Sequence, residues 1–214
     1  DPDLNNTNLH NFVAFSVRKV VAEYDGPFFR AIRDDGVEAD FGAGVDTIDT
    51  VALQAWIDAG GVNAYITKWY DQSGNLDHGN QTDSSKRPKL IADCSNGGTP
   101  HPCFHFRTFY EYLEFNEVST DYGIGMNKGP NNANGTGMAM FLNIKFNSAG
   151  DQLIIGDFGN GNYEVIHYGS LYYAYSKTFS IAKNMNDFAV YTLLEDTSNN
   201  GYFYYNGTFV AVSN

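Results

Sequence analysis

The sequence predicts an all-β sandwich with one short helix near residues 50–58. Aromatic residues make up 15% of the 214-residue chain and charged residues only 18%, a balance that suits strands and turns better than charge-laced helices. Turn-forming Gly, Asn, Asp and Pro recur about every 8–12 residues, the spacing that sandwiches require. No linker, composition shift or internal repeat divides the chain, so residues 1–214 read as one domain, a length such sandwiches reach undivided.

Residues 12–21 alternate partly between apolar and polar and predict a first strand. Asp25-Gly26-Pro27 makes a turn into a second strand at 28–33. Asp34-Asp35-Gly36 then supplies a hairpin, since Asp-Gly tolerates positive φ, and a third strand runs over 37–41. The helix follows: Asp49 caps it, 51–57 are good formers, and Gly60-Gly61 ends it. Leu53, Trp56 and Ile57 share one face, which predicts packing against a sheet. Further strands are expected at 64–70, 89–92, 104–106, 112–115, 138–146, 152–158, 163–168, 171–176, 188–194 and 202–205. A Gly/Asn-rich insertion occupies 121–137.

Net charge is −12 and the isoelectric point is about 4.6, which disfavours nucleic acid because phosphates would be repelled. The acidity serves solubility, and its sharper reading is that some carboxylates take up Ca²⁺, a hard cation that prefers oxygen ligands. No run of 18 apolar residues is present, so no membrane span is expected. The chain opens on Asp1 with no basic-then-apolar leader, which reads as a mature chain or a piece of a longer protein.

Cys94 and Cys103 flank a Gly/Pro-rich loop and are expected to bond across it. Four N-x-[ST] sequons, at Asn5, Asn80, Asn134 and Asn206, lie in turn-like surroundings and read as glycan acceptors. Together these features place the chain outside the cell or on a cell or virion surface. The His and Cys residues lack the spacing of a zinc site, and no nucleophile elbow, phosphate loop or dinucleotide fingerprint occurs.

The most specific word is Trp69-Tyr70-Asp71-Gln72-Ser73-Gly74, followed by His78. Upstream stand Ser16-Val17-Arg18-Lys19, Tyr24-Asp25-Gly26-Pro27 and Arg33-Asp34-Asp35-Gly36. In this order the block resembles the catalytic domain of the family 54 α-L-arabinofuranosidases. It is similar also to laminin-G-like and concanavalin-A-like modules of surface and phage structural proteins. The resemblance implies a concanavalin-A-like jelly roll. Asp71, Gln72, Ser73, Gly74 and His78 read as a structural turn, with Asp71 holding His78. The alternative is that Asp71 and His78 form an acid/base pair.

Downstream, Asp157-Phe158-Gly159-Asn160 and the stretch from Tyr163 through His167 look like the family's segment near its substrate cleft. Asp157, Asn160, Tyr163 and His167 are therefore the candidate ligand-binding residues. The family carries paired cysteines just before this segment, where this chain has Ile154-Ile155. Its nucleophilic Glu would fall within 165–186, which contain no carboxylate. A retaining glycosidase needs two carboxyl groups roughly 5–5.5 Å apart. The expectation is a non-catalytic module that recognises a glycan or polysaccharide, or that self-assembles at a surface. Tyr172, Tyr173, Tyr175 and the tyrosines of 202–205 could supply aromatic faces for sugars. The alternatives are a glycoside hydrolase and a subunit of a filament, fibre or capsid.

Overall fold

The computed structural model describes residues 14–74, 76, 78–95, 97–108, 110–115, 138–145, 152–156, 163–168, 171–174, 177–180, 189–195 and 200–213. The chain divides into two compact units, Asp1–Ile124 and Gly125–Asn214. Both are built from antiparallel sheets, and one α-helix occurs among the described residues.

The first unit carries β1 (Phe29–Arg33), β2 (Glu38–Phe41), α1 (Thr50–Asp58), β3 (Ala64–Trp69), β4 (Gly79–Asn80), β5 (Lys89–Ile91), β6 (Cys103–His105) and β7 (Glu114–Phe115). Its sheet runs β2-β1-β3-β4-β7, with β5 pairing β3 at the other end of that strand and β6 pairing β5. The Asp34-Asp35-Gly36 hairpin sets the β1/β2 register. Gly36 takes φ 85° and its N–H donates to the Arg33 carbonyl oxygen (3.0 Å). A bulge at Arg30/Ala31 inserts Thr67 into β3, so Ile66 faces Ala31 and Lys68 faces Arg30.

One face of this sheet is apolar. Phe29, Ala31, Ala64, Ile66 and Leu90 are buried there together with Leu53 and Ile57 of α1. The helix forms where expected because Asp49 Oδ1 accepts from the N–H groups of Val51 and Ala52, both at 3.0 Å. Trp56 packs edge-on against Phe41, with centroids 4.9 Å apart. The aromatic contacts continue through Phe29, Phe104 and Trp69 to Phe15.

The expected first strand does not form over its described residues. Residues 14–20 are irregular, with a bend at Val17 and a single bridge, Arg18 to Thr47. Their backbone groups are satisfied instead by the side chains of Asp71 and Gln72, which a sequence pattern cannot reveal. A 3₁₀ turn at Ser84–Lys86, capped by Asp83, was not anticipated either.

The second unit holds β8 (Met138–Ile144), β9 (Gln152–Gly156), β10 (Tyr163–Tyr168), β11 (Leu171–Ala174), β12 (Lys177–Ser180), β13 (Ala189–Glu195), β14 (Gly201–Tyr205) and β15 (Thr208–Ser213). They form two four-stranded sheets, β12-β11-β10-β9 and β15-β14-β13-β8. Asn206 and Gly207 join β14 to β15 with both residues at positive φ (48° and 75°), the two-residue turn that Asn-Gly favours. Phe203, Tyr191 and Ala189 are buried in this sheet. The 121–137 insertion lies outside the described residues.

Candidate functional site

Two arrangements in the first unit draw on the Trp69–His78 word. The first is an anchor. Asp71 and Gln72 are each 1% exposed, too deep for an uncommitted polar group. Asp71 Oδ1 accepts from the N–H groups of Ala14 and Ser73, both at 2.9 Å, and Oδ2 accepts from the Ser73 hydroxyl (2.6 Å). The Gln72 side chain accepts from Val20 N–H and donates to the Arg18 carbonyl oxygen, both at 2.9 Å. Its backbone N–H donates to the Ala14 carbonyl oxygen (2.8 Å), and Trp69 Nε1 donates to that of Ser16 (3.2 Å). Together these bonds secure the 14–20 segment.

The contact between Asp71 and His78 differs from the expected one. The Asp71 backbone N–H, not its carboxylate, donates to His78 Nδ1 (3.0 Å), which requires an unprotonated Nδ1. Gly74 takes φ 91° as the loop turns back toward His78. The Asp71 carboxylate is thus committed to Ala14 and Ser73, and His78 accepts from the Asp71 backbone.

The second arrangement lies on the sheet face opposite the core. Residues directly paired across an antiparallel ladder share a face. The register therefore aligns Asp40, Arg30, Lys68, Asn80 and Glu114 across five strands. A neighbouring row aligns Glu38, Ile32, Tyr65, Lys89 and His105. Arg30 Nε and Nη2 donate to the two Asp40 oxygens at 2.8 and 2.7 Å, a bidentate pair. The Tyr70 hydroxyl donates to Asp40 Oδ1 (2.9 Å), and Lys68 Nζ sits 5.3 Å from the Tyr70 ring centroid. Arg107 lies over the Tyr65 ring at 5.2 Å and pairs with the buried Glu111.

Electrostatics follow from these contacts. The Arg30 hydrogen bond holds the Asp40 carboxyl below its ordinary pKa against the opposing effect of burial, and the Tyr70 hydroxyl assists. Burial, then the bond to Asp40, pushes the Tyr70 phenol up to about 12. Burial and the nearby Asp71 and Asp40 charges also raise Tyr24, whose hydroxyl donates to the Pro27 carbonyl oxygen (2.6 Å). The result is a half-exposed set of fixed donors and acceptors beside phenol rings. It can hydrogen-bond and stack on a polar, non-planar ligand.

Among the other expected residues, Asp157 and Asn160 lie outside the described residues. Tyr163 and His167 fall in β10, where His167 is opposite Gln152 on β9 and Tyr172 on β11. Cys94 and Cys103 form a disulfide with Cα atoms 6.0 Å apart. Asn5 and Asn134 lie outside the described residues. Asn80 sits within β4, and its side chain donates to the His78 carbonyl oxygen (2.9 Å). Asn206 is exposed, and its Oδ1 accepts from Val190 N–H (2.8 Å). Asp83 and Asp93 accept from the backbone N–H groups of Ser85 and Ser95, and Asp35 pairs with Arg33. Among the described residues no three His, Cys, Asp or Glu side chains converge as a metal site, and no helix is long and apolar enough to cross a membrane.

Arg30, Asp40 and Lys68 were not singled out from sequence, and Tyr70 stood only as part of the 69–74 word. A signal for the first pair existed, because counting back from the Asp34-Asp35-Gly36 turn places residue 30 opposite residue 40. The bulge that brings Lys68 beside Arg30 has no such signal.

No family model, curated protein or solved structure matches the chain. The family 54 resemblance therefore rests on the sequence words themselves.

Proposed function

We propose that this chain is a non-catalytic extracellular module of the concanavalin-A-like jelly-roll type that recognises glycans through the outer face of its first sheet. The observation that carries this reading is the Arg30–Asp40–Tyr70 array, in which a bidentate ion pair fixes a phenol beside Lys68. Sugars present hydroxyl groups and apolar ring faces, and fixed polar groups next to aromatic rings suit both. The antiparallel sheets support the jelly-roll assignment, and the Cys94–Cys103 disulfide supports an oxidising compartment. The word shared with the arabinofuranosidases works as an anchor, with Asp71 buried under its own loop. Together with the absence of carboxylates over 165–186, this favours binding over hydrolysis.

A glycan array on the full chain, with and without Ca²⁺, tests the proposal alongside an aryl α-L-arabinofuranoside assay. The expected result is retention on at least one polysaccharide, loss of retention in Asp40→Ala, and no turnover above background. Turnover abolished by Glu164→Gln, which removes the carboxylate just ahead of the 165–186 span, would replace the reading with a glycoside hydrolase. Absence of any glycan binding, with a solution mass of many subunits, would replace it with a structural assembly subunit.

A further inference from the structure

We infer that the outer sheet face selects acidic glycans, with Lys68 and Lys89 reading a carboxylate or sulfate on a sugar held beside Tyr65 and Tyr70. This rests on the glycan-recognition reading and names the ligand class of the same face. The chain has 13 Lys and Arg against 25 Asp and Glu, yet on this face the two signs balance: Arg30, Lys68, Lys89 and Arg107 stand against Glu38, Asp40, Glu111 and Glu114, with Glu38 and Glu114 out on strands β2 and β7. Two are neutralised in place, Arg30 by Asp40 and Arg107 by Glu111. Among the described residues, neither Lys68 nor Lys89 has a carboxylate within ion-pair distance. The Lys68 ammonium lies over the Tyr70 ring face and its charge is also felt by Asp40, but neither contact takes up its hydrogen-bond donors, which stay open to a ligand.

The register fixes their spacing. Lys89 lies directly across from Tyr65, and Lys68 lies three residues further along β3. With about 3.3 Å per residue and 4.8 Å between strands, the two Cα atoms are roughly 11 Å apart. Two lysines spaced along the sheet in this way, with Tyr65 beside Lys89, suit an extended chain of charged sugars better than one ion. The overall charge of −12 does not forbid this ligand. A uronate carries one charge per ring, whereas duplex DNA carries one per about 1.7 Å, so repulsion at a distance is weaker and the local lysines decide.

Affinity measurements on the full chain with polygalacturonate and its fully methyl-esterified form test the inference, with heparin, amylose and single-stranded DNA as further probes. The free acid or heparin should bind, and esterification should weaken binding to the polymer. Lys68→Gln and Lys89→Gln should each weaken it by about tenfold, the effect of one charge-assisted hydrogen bond. Neither lysine has an ion pair to lose, so Lys89→Gln should melt with the parent protein and Lys68→Gln, which gives up its contact with the Tyr70 ring, close to it, and the esterification comparison needs no variant. Equal or tighter binding of the neutral polymers, or lysine variants without effect, would overturn the inference while leaving glycan recognition standing. DNA bound as tightly as the acidic glycans would show that charge alone is read, and would overturn it too. Binding to none of the probes would remove both readings.

Discussion

Asp71 shows how one buried carboxylate can stand in for a stretch of secondary structure. Three donors converge on it, two from its own turn and one from Ala14, which lies 57 residues away in sequence. Removing an acceptor at such depth strands its donors at about 1–3 kcal/mol each. Asp71→Ala should therefore lower the melting temperature markedly, and amide exchange should show the loss concentrated at Ala14 and Ser73. A variant as stable as the parent would remove Asp71 from this role. Tyr70 offers a second test at the same scale. Its phenol is raised to about 12 in the folded chain, against about 10 in an unfolded one. Its stabilising contribution is thus complete below about pH 10 and is lost as pH rises through about 12. Asp40 runs the other way: its pKa is depressed, so its contribution is present above about pH 4 and lost as pH falls through the depressed value. Phenolate absorbance should show a late-titrating component that Tyr70→Phe removes and Asp40→Asn moves to lower pH. A difference titration with no such component would contradict the Tyr70–Asp40 contact.

At the scale of elements, local chemistry decided how much could be read in advance. The helix was legible because Asp49, a run of good formers and Gly60-Gly61 all agree, and Thr50–Asp58 forms as expected. The β1/β2 hairpin was legible through its turn. The 14–20 segment was misread because its alternation mimics a strand while its partners are side chains far away in sequence. β15 was overlooked although Asn206-Gly207 is a strong hairpin signal, and the apolar stretch after it forms the strand. Gly42, just after β2, has φ 101°, and a Cβ there would overlap the buried Phe28 ring. Gly42→Ala should lose at least about 1 kcal/mol in denaturant unfolding, from backbone strain and overpacking together. An unchanged midpoint would contradict this close approach. The Cys94–Cys103 bridge closes a short loop between β5 and β6, where a disulfide contributes about 2–3 kcal/mol by restricting the unfolded chain. Cys94→Ser should lose that amount, and non-reducing peptide mapping of the parent should recover the two cysteines as one linked pair.

For the whole molecule, sequence words and spatial rows carry different information. The word at 69–74 pointed to a place that matters, but its two most buried polar residues face inward to hold the chain together. The candidate site lies on the other side of the sheet and draws only Tyr70 from that word. Arg30, Asp40, Lys68 and Lys89 are separated by up to 59 positions, and only strand register brings them into adjacent rows. Such a site is illegible without pairing information, however clear each strand is alone. The candidates Tyr163 and His167 were placed on β10 by backbone alone, and Asp157 and Asn160 lie outside the described residues.

The anchor around residues 14–20 has a mechanical consequence. A pulling force transmitted through this segment would reach the Asp71 and Gln72 side-chain bonds, with the Trp69 and Asp46 contacts, before loading any strand ladder. Extension through residues 14–20 would therefore begin at this clasp, with the sheet behind it still intact.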